Sequence, residues 1–154
     1  MASSFSSSWP DPIPLVELFK WLDVRGTLLG QNRTEHDITT ALALARDCKH
    51  PDAEWLASIF EGKDVSTKKD VREVFLSFKN DARALCFAWW LAEDRWSDLS
   101  LLRRASEMGN AFACSMLARE ENEDKAFRLA RVAASQHERD GFYRLGCCFR
   151  EGLG

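Results

Sequence analysis

Histidine and paired cysteines, the side chains that most often build metal and redox sites, are scarce in this sequence. Its three histidines, His36, His50 and His137, lack a second His or Cys at a spacing typical of a metal site. The five cysteines are odd in number and include no CxxC pair, so neither a zinc site nor a disulfide framework is expected. We predict no metal and no cofactor, and we expect the cysteines to be small, reduced and buried.

Motifs for catalysis are missing as well. The sequence contains no Gly-rich phosphate loop, no HExxH and no GxSxG, and its carboxylates gather on solvated helix faces such as residues 120–124. The adjacent thiols of Cys147 and Cys148 would point about 100° apart on a helix, so one of them should face the core. We expect a protein that is not an enzyme.

An excess of charge and a long apolar run are also absent. The formal net charge is −3 and basic pairs such as Arg103-Arg104 lie among acids, which argues against nucleic acid and anionic membranes as partners. No segment approaches the roughly 18 apolar residues that cross a bilayer. The Ser- and Pro-rich start has no signal-peptide pattern, so we predict a flexible leader over residues 1–13 and a cytoplasmic location.

Apolar residues recur at every third or fourth position, which predicts an all-α fold. N-terminal capping helices are expected over residues 14–50. The first should run over residues 14–25, end at Gly26 and bury an apolar face made of Leu15, Val16, Leu18, Phe19 and Leu22. The second should open with a capping arrangement of Thr34 and Asp37 and end before Pro51.

From residue 51 the chain repeats itself. An acidic or amide residue followed by Ala or Gly opens a helical stretch four times, at spacings of 29, 29 and 30 residues: Asp52-Ala53, Asp81-Ala82, Asn110-Ala111 and Asp140-Gly141. A unit of this size fits two short helices and two turns. Because one helix pair cannot bury its own apolar face, we predict pairs stacked in an α-α superhelix, a solenoid held by nearest neighbours.

The last segment carries the most specific pattern. Residues 125–154 contain a Lys-Ala opening, a paired Ala, a Leu-Gly, an aromatic residue and a Gly-x-Gly turn: Lys125-Ala126, Ala133-Ala134, Leu145-Gly146, Phe149, Gly152 and Gly154. This segment resembles the Sel-one-like repeat, a relative of the tetratricopeptide repeat, and the resemblance covers roughly residues 36–154. It implies a solenoid over residues 51–154 and an adaptor or scaffold that binds a protein or peptide without catalysis.

The chain stops inside the last turn, so the final repeat is expected to be incomplete. A missing second helix would leave Leu145 and Phe149 partly exposed, and self-association through this uncapped repeat could cover them.

The start of the first helix has a second resemblance. Residues 14–18, followed by residues 21–25 and 28–29, resemble the opening of an F-box, the helical module that docks substrate adaptors on a ubiquitin ligase. This resemblance implies an alternative function as a ligase substrate adaptor. The other interpretation is a helix that shields the first repeat from water.

Four residues are predicted to bind the partner because they lie on first helices, away from the small residues of the helix contacts: Arg83, Trp90, Arg119 and Arg144. Adjacent helical positions diverge, so Trp89 and Trp90 are not expected to be equally buried. A Trp that stays outside is a good binding anchor, although packing of both rings in the interior is the alternative.

Overall fold

The computed structural model of the chain describes residues 13–30 and 32–152. Every regular element in these residues is a helix, which confirms the all-α prediction. They are α1 (Leu15–Leu29), α2 (Glu35–Asp47), α3 (Pro51–Phe60), α4 (Lys68–Ser77), α5 (Ala82–Trp90), α6 (Ser100–Glu107), α7 (Ala111–Leu117), α8 (Glu123–Ser135) and α9 (Arg139–Arg150).

The chain divides into two compact units after Thr67. Helices α1 to α3 belong to the first unit and helices α4 to α9 to the second. From the sequence, the boundary between the capping helices and the repeats was predicted after residue 50. In the structure α3 begins at Pro51 and contacts α1 and α2 in the first unit. The leader predicted for residues 1–13 lies outside the described residues except for Ile13.

Helix α1 is buried on the face opposite to the predicted one. Leu15, Val16, Phe19 and Leu22 are exposed, and the buried positions are Glu17, Trp21, Val24 and Leu28. Trp21 stacks on the ring of His50, with the ring centroids 5.2 Å apart. The contacts of Trp21 with His50 and of Glu17 with Lys49 go with this inward face, which the apolar pattern of the helix did not indicate. The helix also continues past Gly26 to Leu29, because the buried Leu28 holds its last turn.

A buried carboxylate connects α1 to the segment after α2. Glu17 accepts a hydrogen bond from the backbone N–H of Lys49 at 2.7 Å and one from Nζ of Lys20 at 3.3 Å. The bond from Lys49 and the nearby ammonium of Lys20 lower the pKa of Glu17 below its ordinary value. The same Lys20 also lies 3.3 Å from Asp47. This ionised glutamate thus contributes to the packing of the first unit.

We expect Glu17→Gln to reduce the stability of the first unit in a pH-dependent way. A carboxylate with a lowered folded pKa adds stability above its unfolded pKa and loses that stability as the pH falls through the folded pKa. The difference in unfolding free energy between the native chain and the variant should therefore be largest at neutral pH and shrink in acid. Urea unfolding of both proteins across this pH range measures it.

The exposed acid Asp23 on the same helix provides the matched control. Asp23→Asn should leave the unfolding free energy almost unchanged at every pH. A Glu17→Gln difference that is the same at neutral and acid pH would contradict the role given to the Glu17 carboxylate.

Helix α2 begins with the capping box that the sequence predicted. Thr34 Oγ1 accepts the backbone N–H of Asp37 at 3.2 Å, and the Asp37 carboxylate accepts the backbone N–H of Thr34 at 2.9 Å. These bonds give partners to two backbone N–H groups at the start of the helix, which have none within the helix itself. Helix α3 follows with Pro51 at its first position, and the His50 side chain accepts the N–H of Asp52 at 3.1 Å.

In the second unit each helix packs against the next one along the chain, and α7 also contacts α9. The core cluster combines residues of α5, α6 and α7: Leu85, Cys86, Trp89, Leu102, Ala105, Ala113, Met116 and Leu117. Leu129 of α8 packs against this cluster. At the start of the unit the rings of Phe75 on α4 and Phe87 on α5 stack at 4.9 Å. The core is thus shared by helices that are neighbours in sequence.

The predicted repeat openings all lie at helix starts. Asp81 and Asn110 are the N-caps of α5 and α7, and Asp52 and Asp140 lie in the first turns of α3 and α9. The third position after the N-cap is a buried small residue in all four helices: Ala53, Ala84, Ala113 and Gly141. These buried residues are 31, 29 and 28 positions apart, whereas the openings seen in the sequence are 29, 29 and 30 apart, because the opening pair does not have the same position relative to the N-cap in every helix.

At Gly141, α9 comes close to the end of α8. A Cβ at this position would lie 2.6 Å from Ala133 Cβ and 2.7 Å from the backbone N of Ala134. Gly146, the glycine of the predicted Leu-Gly pair, lies on the same helix. In the described residues nothing lies within 4 Å of a Cβ built at Gly146, so the close approach on α9 belongs to Gly141.

Candidate protein-binding surfaces

Three aromatic rings lie around the ring of Trp89. We call the four rings together the tryptophan cluster: Trp89, Trp90, Trp96 and Phe112. Trp89 is 1% exposed and meets the ring of Trp96 edge-on at 5.0 Å. Trp90 is half-buried, and its ring lies 6.2 Å from Phe112. The unequal burial of Trp89 and Trp90 agrees with their divergence on a helix.

Hydrogen bonds hold the segment after α5 against this cluster. Trp89 Nε1 donates to the carbonyl oxygen of Arg95 at 2.6 Å, and Arg95 Nη1 donates to the carbonyl oxygen of Trp90 at 3.2 Å. The segment therefore has a fixed conformation although it is not helical. It presents Trp96 at the surface with 38% of its side chain exposed.

Two guanidinium groups lie on the outer rings of the cluster. The Cζ atom of Arg95 is 4.2 Å from the centroid of the Trp90 ring, and that of Arg119 is 5.1 Å from the Trp96 ring. Both distances are within the range of a cation–π interaction. We call Trp90, Arg95, Trp96 and Arg119 together the Trp–Arg patch.

The arginines of this patch have no acidic partner in the described part of the chain. Other arginines of the same unit do, since Arg103 lies 3.8 Å from Glu121 and Arg83 lies 3.8 Å from Asp81. The patch thus combines partly exposed rings with two guanidinium groups that form no ion pair within the described residues. This combination is typical of the anchors at protein interfaces.

The structure brings two of the four predicted residues into this patch. Trp90 is the last residue of α5, and Arg119 follows the end of α7 instead of lying on a helix, which corrects the prediction that it does. Arg83 is exposed in the first turn of α5, about 10 Å along the helix axis from Trp90. It is therefore not part of the patch.

Arg144, the fourth predicted residue, lies in a different feature. It is half-buried on α9, with its Cζ 5.5 Å from the ring of Tyr143. It lines a cleft of about 180 Å³ together with three glutamates, Glu121, Glu123 and Glu151. The cleft has three acidic residues against one basic residue and no aromatic ring in its lining, so it differs in chemistry from the Trp–Arg patch.

Sequence reasoning missed Arg95 and Trp96. Both lie in a short segment outside any helix, so helical periodicity could not place them. A signal was nevertheless present, because Trp96 stands in the strongly polar stretch of residues 93–98. A Trp in such surroundings is a candidate for a surface position.

The outer face of α1 is a second apolar surface, in the first unit. We call it the α1 face, and it consists of Leu15, Val16, Phe19 and Leu22, which are 41–69% exposed. Gly26 lies on the same side, and a Cβ built there would meet nothing within 4 Å in the described residues. Contiguous apolar surface of this kind usually marks an interaction site.

Helix α9 also exposes large rings. Phe142, Tyr143 and Phe149 are 52%, 64% and 59% exposed, while Leu145 is half-buried. The exposure of Phe149 agrees with the expectation from the sequence. Its ring meets that of Phe127 edge-on at 5.9 Å.

The cysteines are free thiols, and Cys147 is the one that is not buried. Burial raises the pKa of the Cys86 thiol to about 12 and also raises the pKa of Cys114 and Cys148. Of the adjacent pair, Cys148 faces the interior, in agreement with the expectation that one of the two would, whereas Cys147 is not buried, contrary to the expectation for all five cysteines.

We expect a thiol reagent to modify Cys147 first and the other four cysteines only on unfolding. Reactivity requires a thiolate that the reagent can reach, and burial removes both conditions. The number of thiols that react in native buffer and in denaturant, counted by mass spectrometry, measures this. Cys147→Ser should abolish the rapid reaction, and a second thiol reacting as fast in native buffer would contradict the burial pattern.

In the described residues, no group of three or more His, Cys, Asp or Glu side chains is arranged to hold a metal ion. None of the described helices has the length and apolar character needed to cross a membrane. No protein-family model matches the chain, and neither does any curated protein or solved structure.

Proposed function

We propose that the chain is a non-catalytic protein-interaction module, an adaptor or scaffold that binds a protein or peptide on a face of a helical-repeat solenoid. The observation that carries this proposal is the Trp–Arg patch. Trp and Arg are the residue types most enriched among the hot spots of protein interfaces. Their exposure around a rigid, buried Trp89 provides anchors that lose little conformational freedom on binding.

The helix contacts support the solenoid part of the proposal. Consecutive helices within each unit pack against each other, and the contacts of α1 with α3 and of α7 with α9 skip one helix. In a solenoid each helix pair packs on the neighbouring pair, and the contacts that skip one helix are of this kind. The buried small residue near the start of α3, α5, α7 and α9 also suits the Sel-one-like pattern. The predicted cytoplasmic location and the absence of nucleic-acid or membrane partners stay predictions.

Proximity labelling in cells, with Trp96→Ser/Arg119→Gln as the test variant, examines the binding function. Both side chains are at the surface, so the fold should persist, and circular dichroism verifies it. Arg128→Gln, an exposed arginine on α8, is the matched control. We expect a set of partners that the native chain and the control retain and the test variant loses.

Separate Arg83→Gln and Arg144→Gln variants show whether these two predicted residues contribute to partner binding. Direct titration with the purified partner should reproduce the difference between the test variant and the control. If every partner remains with the test variant and with both single variants, the predicted binding surface is wrong.

The second candidate function is the substrate adaptor of a ubiquitin ligase, and the α1 face favours it. The residues that resemble an F-box opening include Leu15, Val16 and Leu22, which are exposed on the α1 face. Trp21, Val24 and Leu28 of the same segment are buried in the first unit. The α1 face would then hold the ligase linker.

Leu15→Ser/Phe19→Ser tests this second function without removing the buried face of α1. Deleting the whole helix would also remove Trp21, Val24 and Leu28 from the core. If the chain is a ligase adaptor, the native protein captures the ligase linker and the α1 variant does not, while Phe142→Ser on α9 captures it normally. A native chain that captures no linker rejects this function.

A further inference from the structure

We infer that the Trp–Arg patch recognises a short peptide segment in which one or two carboxylates flank an aromatic or aliphatic side chain. This inference rests on the proposed protein-binding function and adds the chemistry of the partner.

Arg119 has unused hydrogen-bonding capacity. Its side chain forms no hydrogen bond or ion pair within the described residues, and Arg95 uses Nη1 for the carbonyl oxygen of Trp90. A guanidinium group carries five N–H donors in one plane. A carboxylate matches this arrangement better than any other side-chain group, because it accepts two parallel hydrogen bonds.

The rings hold these donors in place before a partner arrives. Arg119 lies over Trp96 and Arg95 over Trp90, so each guanidinium group has a flat support. A supported arginine loses less side-chain entropy on binding than a freely moving one. The exposed 38% of Trp96 lies beside Arg119 and offers apolar contact. A carboxylate next to an apolar side chain would use both parts of the patch.

Acidic residues next to the patch in sequence limit the kind of anion it can accept. Glu93 and Asp94 precede Arg95, and Glu120 follows Arg119, and all three are exposed. A polyanion such as single-stranded nucleic acid would bring phosphates close to these carboxylates, and like charges repel. A peptide with one or two carboxylates beside an apolar residue brings less negative charge to these acids than a polyanion does and is repelled less, which favours a peptide over a nucleic acid.

Fluorescence anisotropy with the full chain tests the inference. The probes are a labelled peptide with the central sequence Glu-Leu-Glu-Phe, its Gln-Leu-Gln-Phe counterpart, a polyglutamate peptide and a single-stranded oligothymidylate. The Glu-Leu-Glu-Phe peptide should bind at least about tenfold more tightly than the Gln counterpart, which corresponds to ~1.4 kcal/mol. It should also bind more tightly than polyglutamate, and added salt should weaken the interaction.

Substitutions then locate the binding. Arg119→Gln should lower the affinity for the Glu-Leu-Glu-Phe peptide to that of the Gln counterpart, and Arg128→Gln should leave it unchanged. Arg119→Lys keeps the charge but loses the planar donor arrangement, so it should restore the affinity only in part. Circular dichroism confirms that each variant is folded.

Three results would overturn the inference. Equal affinity for the Glu and Gln peptides, with both lost in Trp96→Ser, would leave the protein-binding function intact and reject the acidic partner. Tighter binding of the oligothymidylate would identify a nucleic-acid surface instead. No binding of the Glu-Leu-Glu-Phe peptide would reject the inference, and the partners captured from cells would then decide the proposed function separately.

Discussion

Replacing Trp89 by Ala is expected to lower the free energy of unfolding of the second unit by about 3–5 kcal/mol. The side chain is 1% exposed and is the largest fully buried one in the described residues. It contacts the rings of Trp90, Trp96 and Phe112, and its Nε1 holds the carbonyl oxygen of Arg95. The substitution would leave a cavity and release the segment that carries Arg95 and Trp96 of the Trp–Arg patch. Urea unfolding followed by far-UV circular dichroism measures the change.

Trp96→Ala is the matched control for this prediction. It removes a side chain of the same type from the same cluster, but one that is 38% exposed. Its cost should be about 1 kcal/mol or less, because much of the ring is already in contact with water. Equal losses in the two variants would show that Trp89 is not the centre of the cluster.

Gly141→Ala is expected to destabilise the second unit by about 1–3 kcal/mol, although Ala normally favours a helix over Gly. The added Cβ would lie 2.6 Å from Ala133 Cβ and less than 3 Å from two backbone atoms of Ala133 and Ala134. Because backbone atoms cannot rotate away as a side chain does, α9 would have to move from the end of α8. Thermal and urea unfolding both report this change.

Gly146→Ala, on the same helix, is the matched control for Gly141→Ala. Nothing in the described residues lies within 4 Å of the added Cβ, so the helical preference for Ala should prevail. We expect a gain of about 0.5–1 kcal/mol. The two substitutions are chemically identical and should change the free energy of unfolding in opposite directions. Stabilisation by both would show that α8 and α9 do not approach closely at Gly141.

Local interactions explain which parts of the fold could be predicted from the sequence. The capping box of α2 involves two residues three positions apart, and it was predicted from Thr34 and Asp37 alone. The buried face of α1 could not be predicted in this way. It depends on contacts with distant residues, namely Glu17 with Lys49 and Trp21 with His50, about 30 positions along the chain.

In the candidate site, too, features that depend on neighbouring residues were predicted and contacts between distant residues were not. Trp90 was predicted because adjacent helical residues diverge, which is a local property. The pairing of Arg119 with Trp96 joins two turns that follow different helices, and no periodic pattern signals it. Arg83 looked equivalent because it shares α5 with Trp90, but it lies at the opposite end of the helix. Arg95 was missed because its position depends on the indole N–H of Trp89.

The buried Ala or Gly near the start of α3, α5, α7 and α9 also determines where the chain tolerates insertions. These small residues are 31, 29 and 28 positions apart, so the segments between them differ by as many as three residues while the helix start stays the same. A residue inserted between Asp81 and Ala84 would rotate the small side chain by about 100°, away from its neighbouring helix. Length changes should therefore be accepted in turns such as the one at Gly62 and rejected in the first turn of each of these helices.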